Sequence, residues 1–513
     1  MSDQLLLSRF AFGPTPNTYN SVMQGGGKKW LEEQLEPRLQ DDSKCQERHA
    51  DFKLRIRYEE SADWKSADEM RSFQYLDTPI SDLIQLNQPG KKLPGPEKNR
   101  PLMEVVSATL IRAVYSKWQT HEVMCDFWHN HFNVNAWDPN IGLGLPVYDR
   151  EVIRKHALGN FRELVEGVAK SYCMQTYLNN RSSKAGAPNE NYARELFELH
   201  TLGKKAYLNN LYNKWRDVPG ARQGSPEGFI DQDVYEAARA FTGWTIEDGA
   251  NIGGKATLPR TGRFTYVESW HDNYQKRILA QEIDPYQAAL SDGNKVLNFA
   301  AFHHATAKHL CEKLCIRFIS DKPPRSIVES STKVWKANQN KSDQIACVLR
   351  HIAESKEFQN SAGEKVKKPL ELTASYLRGT GIEFNPTEGL IHELSAAGQK
   401  LYGWPAPNGH PEKSAYWLSS NTMRRRWSLV YGLTMNTWKT GSFDPFLRRG
   451  SQLMTTKGFT DSWIEELMHR QNSVLEGAIL NNAGIPADTP IKNLDLARKL
   501  VAWIGMSPEY QVS

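Results

Sequence analysis

The chain has 513 residues, 39% of them apolar and 10% aromatic, which suits a large folded core and not a disordered chain. Its 64 basic and 59 acidic residues nearly cancel at +5, which argues against a nucleic-acid protein driven by a basic field. No apolar run reaches the roughly eighteen residues that cross a bilayer, and six scattered cysteines do not form a secreted disulfide framework.

From the N-terminus, Met1-Ser-Asp-Gln-Leu-Leu-Leu-Ser-Arg9 lacks a basic segment followed by a long apolar one, so no signal peptide is visible. The expected compartment is cytoplasmic, or periplasmic or secreted if the chain has been trimmed. Apolar positions at three- and four-residue spacing predict helices over 102–132, 149–180, 189–203, 230–243, 294–319, 325–337, 342–357, 365–380 and 388–402. Period-two alternation is scarce, with Arg263-Phe-Thr-Tyr-Val267 the best short candidate. The expectation is a mostly-α, bundle-like protein with long loops and at most a small hairpin. Its expected parts are a helical arm (1–100), a central domain carrying the His and acid motifs (101–290) and a C-terminal helical domain (291–513).

The first chemical stretch is Trp118-Gln-Thr-His-Glu-Val-Met-Cys-Asp-Phe-Trp-His-Asn-His-Phe132. On a helix, Glu122, Asp126, His129 and Asn130 share one face and His131 points the other way. If the helix ends near Trp128, His129 and His131 instead lie on one side of an extended piece. The second stretch, Asn189-Glu-Asn-Tyr-Ala-Arg-Glu-Leu-Phe-Glu-Leu-His-Thr-Leu-Gly203, sets Asn191, Glu195 and Glu198 within roughly 60° on a helix, among Tyr192, Leu196 and Phe197. Buried carboxylates must be paired, protonated or bound to metal. The third, Asp231 to Trp244, places Asp233 and Glu236 three residues apart, and His271-Asp272 follows in a loop. Each has a structural alternative. Glu190, Glu195 and Glu198 can pair with Arg194 and Arg239, Asp233 and Glu236 can serve a helix N-terminus, and His200 can cap a C-terminal turn before Gly203. No Walker loop and no Gly-x-Ser-x-Gly elbow occurs, so no nucleotide cofactor is expected.

These stretches also carry a resemblance. Leu7-Ser-Arg-Phe-Ala-Phe-Gly13, Phe127-Trp-His-Asn-His-Phe132, the 189–203 stretch, Asp233-Val-Tyr-Glu-Ala-Ala-Arg-Ala-Phe-Thr-Gly-Trp244, His271-Asp272 with Lys276, His303-His-Ala-Thr-Ala307, Lys313-Leu314, Gly403-Trp-Pro405 and Met506-Ser-Pro-Glu-Tyr-Gln511 match a family pattern. The chain resembles the bacterial domain-of-unknown-function 1800 family over essentially its whole length. That resemblance implies no activity, but it implies frequent export of family members, and it has Leu-Asp-Asn where this chain has Leu178-Asn-Asn180.

The functional expectation is a metal-dependent enzyme, hydrolytic or oxidative, with zinc, iron or manganese held by His129, His131, Glu195, Glu198 and Asp233. Glu190, Glu236 and His271 are the candidate catalytic groups, with Arg194, His200, Glu122 and Asp126 behind them. The alternatives are a non-catalytic helical scaffold that binds a partner protein, and a glycan or polymer binder. The second would use Tyr402, Trp404, Trp417 and Trp427 around the Pro-rich loop 403–413.

Overall fold

Three- and four-residue apolar spacing does fold as helix along the chain, and the protein is mostly α. The computed structural model describes residues 3–90, 92–449 and 454–513. The helices used below are α1 (Asp3–Arg9), α2 (Gly95–Tyr115), α3 (Gln119–His131), α4 (Glu190–Glu195), α5 (Asp231–Ala240), α6 (His304–Phe318) and α7 (Pro369–Thr380).

Several predicted helices are divided, and the divisions have local causes. The 102–132 segment becomes α2 and α3 because Gln119 turns its amide back onto the carbonyls of Ala113 and Ser116, at 3.3 and 2.8 Å. Those carbonyls end α2 and would otherwise lack donors. The 149–180 segment splits into a π turn over Tyr148–Arg154 and helices Phe161–Lys170 and Tyr172–Tyr177, the last two capped by Asn160 and Ser171. Likewise α4 runs into a π turn at Leu196–His200.

Strand content exceeds the expected single hairpin. Among the described residues four antiparallel ribbons form: β1 (Lys53–Tyr58) with β2 (Ala67–Ser72), β3 (Trp244–Asp248) with β6 (Arg260–Tyr266), β4 (Asn251–Gly253) with β5 (Ala256–Thr257), and β7 (Lys276–Ile278) with β8 (Gln281–Ile283). The 263–267 alternation falls largely within β6. In β1, Lys-Leu-Arg-Ile-Arg-Tyr buries Leu54 and Ile56 and exposes Lys53 and Arg55, a period-two signal that the sequence reading passed over.

One apolar cluster runs from Leu5 to Tyr510, so segments 1–100, 101–290 and 291–513 share a core. Among the described residues no helix is long and apolar enough to cross a membrane. The two chain ends meet at Arg9 of α1, which is buried and donates to the carbonyls of Phe318 and Ile319 (both 3.0 Å), Ser361 (2.9 Å) and Ser513. Replacing Arg9 with Met removes the donors to buried carbonyls. The change is expected to lower stability by about 2–5 kcal/mol, read from the urea midpoint; an unchanged midpoint would show that the ends are held by apolar packing alone.

Candidate functional site

The candidate site grows from one face of α3. Because the helix continues to His131, Glu122, Asp126, His129 and Asn130 do lie together, and Cys125 joins them. They form one wall of a cavity of about 40 Å³ that Asn133, Asp149, Arg154, Lys368, Tyr402 and His410 complete. His131 points away, as the helical geometry requires. Its Nε2 donates to the His200 carbonyl at 3.0 Å and its Nδ1 accepts from Lys313 at 2.7 Å.

The π turn supplies the opposite wall. Hydrogen bonding from i to i+5 stacks residues five apart, and so Asp149 and Arg154 both reach the α3 face. His129 Nε2 donates to Asp149 Oδ1 at 2.9 Å, while Arg112 of α2 reaches Asp149 Oδ2 at 3.0 Å. Burial alone would push the Asp149 carboxyl up, but His129 and Arg112 outweigh it and hold it below the ordinary value. His129 Nδ1 has no hydrogen-bond partner among the described residues. Arg154 grips both oxygens of Glu122, at 2.6 and 2.7 Å, and keeps that carboxylate well below its usual range against the cost of burial.

The third wall comes from the start of α7 and the loop before residue 413. Lys368 caps α7 ahead of Pro369, and its ammonium lies 3.2 Å from Asp126 and 3.4 Å from Glu412. Asn130 donates to the His410 carbonyl at 2.9 Å and to Glu412 at 2.8 Å, and accepts from the His410 amide at 2.7 Å. Asn133 donates to the carbonyls of Trp404 and Ala406, and Tyr177 to that of Pro405. The Pro-rich loop is thereby stitched over the cavity as a cover. Gly409 is needed for this closeness: at φ +69° its absent Cβ would stand 2.1 Å from the Asn130 carbonyl oxygen. Tyr402, at φ +56°, turns its ring inward against His129 and bonds Thr109 through its hydroxyl at 2.6 Å.

A model of the family described as a protein of unknown function (DUF1800) matches residues 5–512. The chain belongs to that family. No curated protein and no solved structure matches it.

In this DUF1800 chain the expected metal ligands go to separate places. Among the described residues, the one set of three His, Cys, Asp or Glu side chains with ligand atoms within 4.8 Å is His121, Glu122 and Cys125. A cation there would compete with the Arg154 guanidinium already on both Glu122 oxygens, so the trio does not suit a metal. Of the expected set, only His129 lines the α3 cavity. His131 has both ring nitrogens engaged, and burial with Lys313 beside it keeps the imidazole neutral. Glu195 and Glu198 are half-buried neighbours on the α4 segment, Glu198 3.7 Å from Arg194, and burial plus Glu198 raises the Glu195 carboxyl. Asp233 caps its own helix and the β7–β8 turn, accepting from the Ile230 and Leu279 amides at 3.0 and 2.7 Å; burial lifts its carboxyl to about 6.

The expected catalytic groups are also dispersed. Glu190 is exposed and pairs with Arg194 at 3.4 Å, and Arg194 also reaches Asp231. Glu236 pairs with Arg239 at 2.5 Å, which in turn holds Asp272. His271 donates from Nδ1 to the Thr242 carbonyl at 2.8 Å and faces Asp292 through Nε2 at 3.3 Å. His200 does not act as a cationic cap: it is fully buried against Phe132, burial and Lys313 lower it to about 3, and among the described residues neither ring nitrogen has a hydrogen-bond partner. Asn179, where the family pattern has Asp, stands on an exposed turn at φ +59° outside the cavity lining. The tryptophans do not form one platform. Trp417 is buried, whereas Trp427 is 43% exposed and bonds the Met506 carbonyl.

The groups that sequence reasoning missed are Arg112, Asp149, Arg154, Lys368 and Glu412. Only Lys368 had a local signal, the Lys-Pro step that opens a helix. Glu412 tests their importance. Burial would raise its carboxyl, but Lys368, Arg317 and Lys365 bring it down to about 2 from 4.5. A lowered value means the stabilisation is complete above pH 4.5 and disappears as pH falls through about 2. Glu412→Gln is therefore expected to cost about 3–5 kcal/mol at neutral pH and to flatten the acid limb of the stability curve, measured by urea unfolding across that range. Parallel acid limbs in the two proteins would rule Glu412 out as an anchor of the network.

Proposed function

We propose that this chain is an enzyme that carries out general acid–base chemistry on a small polar substrate in the α3 cavity, with His129 as the base. The observation that carries the reading is the state of the His129 ring. One nitrogen is committed to a carboxylate that a guanidinium also holds, and the other is uncommitted beside the cavity. A base oriented in this way by a third group is the arrangement that proton abstraction or water activation needs. Asp149 fixes the ring and stabilises it when it takes a proton. Lys368 and Arg154 supply positive charge for a negative charge developing in the substrate.

A cavity of about 40 Å³ holds a few water molecules. A larger substrate enters only when the loop stitched to Asn130 and Asn133 lifts, as lids over reaction chambers do. The hydrolytic form of the reading, in which His129 activates a water, is favoured over the metal-dependent form because the expected ligands are dispersed.

The test uses wild type, His129→Gln and Asp149→Asn against a panel of activated esters, amides, lactones and phosphomonoesters. Turnover by wild type that falls by about 10²–10⁴ in His129→Gln, with an unchanged melting temperature, is the expected result. Equal turnover in wild type and variant, or no turnover across the panel, counts against the reading. Elemental analysis of the same preparations separates its forms: a transition metal held by wild type and lost from His129→Gln would move the proposal to metal-activated water.

A further inference from the structure

Four lysines drawn into the interior have polar partners. Lys276 donates to Asp292 at 2.7 Å, Lys313 to His131 Nδ1 at 2.7 Å, Lys365 to Asp321 at 2.6 Å and Lys368 to Asp126 at 3.2 Å. Lys367 does not. Its side-chain nitrogen lies 3.8 Å from the centre of the Tyr510 ring, and among the described residues it has no hydrogen bond and no ion pair. A short antiparallel bridge between Val366 and Val512 sets it there, with the Lys367 amide donating to the Gln511 carbonyl at 3.0 Å.

This amine lines a cavity of about 240 Å³ that is separate from the α3 cavity. Its walls are α1, the Gly13–Pro14 turn, α7, the turn after Met468 and the segment from Glu509. Burial and the Arg426 guanidinium outweigh Glu371 and bring the Lys367 amine down to about 7 from 10.5. Desolvation beside another cation is the setting that activates a lysine as a nucleophile, because much of it is then unprotonated at neutral pH. Glu509 lies on the same lining and does not pair with it. His469 lies there too, at the end of the helix Thr456–Met468, with its ring flat on that of Tyr19 at 3.7 Å. Burial and Lys367 lower the His469 imidazole to about 4, so it is neutral, and among the described residues neither ring nitrogen has a hydrogen-bond partner.

We propose that Lys367 is a nucleophilic amine that condenses with a small aldehyde or ketone in this cavity to form an imine. The space is several times that of the α3 cavity and admits a carbonyl compound of a few carbon atoms. In the reaction the unprotonated nitrogen attacks the carbonyl carbon, a C–N bond forms and the π electron pair moves to oxygen. His469 carries one nitrogen proton to that oxygen, which gives the carbinolamine. The C–O bond then breaks as the nitrogen lone pair forms the C=N bond, and the oxygen leaves as water with the second nitrogen proton. Nothing is oxidised or reduced. The step uses neither His129 nor the α3 cavity, so it stands or falls separately from the proposed activity.

The experiment incubates the full chain with pyruvate or propionaldehyde and sodium cyanoborohydride, which reduces an imine to a stable amine. Peptide mass spectrometry then maps the adducts. At neutral pH, Lys367 should be modified about tenfold or more faster than the exposed Lys53 and Lys499. With at least one probe its rate should saturate as the carbonyl concentration rises. In urea-unfolded chain the three lysines should react alike. His469→Gln should slow native labelling of Lys367 by about tenfold or more, and His129→Gln should leave it unchanged. Labelling of native Lys367 no faster than that of Lys53 with both probes overturns the proposal, whatever the variants do. So does a rate that stays linear in carbonyl concentration with both, which marks a reactive amine without a binding cavity.

Discussion

Carboxylates taken out of water must meet cations, and this demand organises the centre of the molecule. Glu122, Asp126, Asp149 and Glu412 are all nearly buried, and each has its partner: Arg154, Lys368, Arg112 with His129, and Lys368 again. The partners come from residues 112, 154 and 368, so satisfying the charges forces α2, α3, the π turn and the start of α7 into one arrangement. Such pairs add little net stability over apolar packing, but breaking one strands a buried charge. They therefore act more as a specification of geometry than as glue.

That geometry explains the cavity. Apolar side chains on the other face of α3 (Val123, Met124, Phe127 and Trp128) enter the shared core and fix the helix. The charged face then meets polar walls whose hydrogen bonds are satisfied sideways, by neighbours along the wall, and the space between stays open. The loop before residue 413 closes it through backbone carbonyls offered to Asn130 and Asn133. Carbonyl contacts of this kind tolerate changes in loop side chains, except at Gly409, where only a hydrogen fits.

Residues that look alike in sequence have very different settings here. His129 and His131 are two apart, yet one stands in an acid pocket and the other is neutral beside Lys313. Of the acids of the 189–203 stretch, Glu190 and Glu198 pair with Arg194 and Glu195 stands beside Glu198, all outside the lining of the α3 cavity. Asp233 is buried as expected of a ligand, but each of its oxygens accepts from a backbone amide, so it holds two chain segments together. Type and spacing identify residues able to do chemistry; occupation of their polar atoms by neighbours decides whether they are free to do it.

By itself the sequence determined the mostly-α character and the family, and it offered the common face of Glu122, Asp126, His129 and Asn130 as one of two geometries, because helical periodicity is a local property of consecutive residues. It also determined that His131 would point away if α3 ran its full length. Only the tertiary structure decided that the acid and His face of α3 lines a cavity, that Asp149, Arg154 and Lys368 complete it, and that Glu412 anchors Lys368 and Asn130 beside it. Those four lie between 20 and 282 residues from their partners on α3. Pairing across such distances depends on packing and desolvation, which no local pattern encodes.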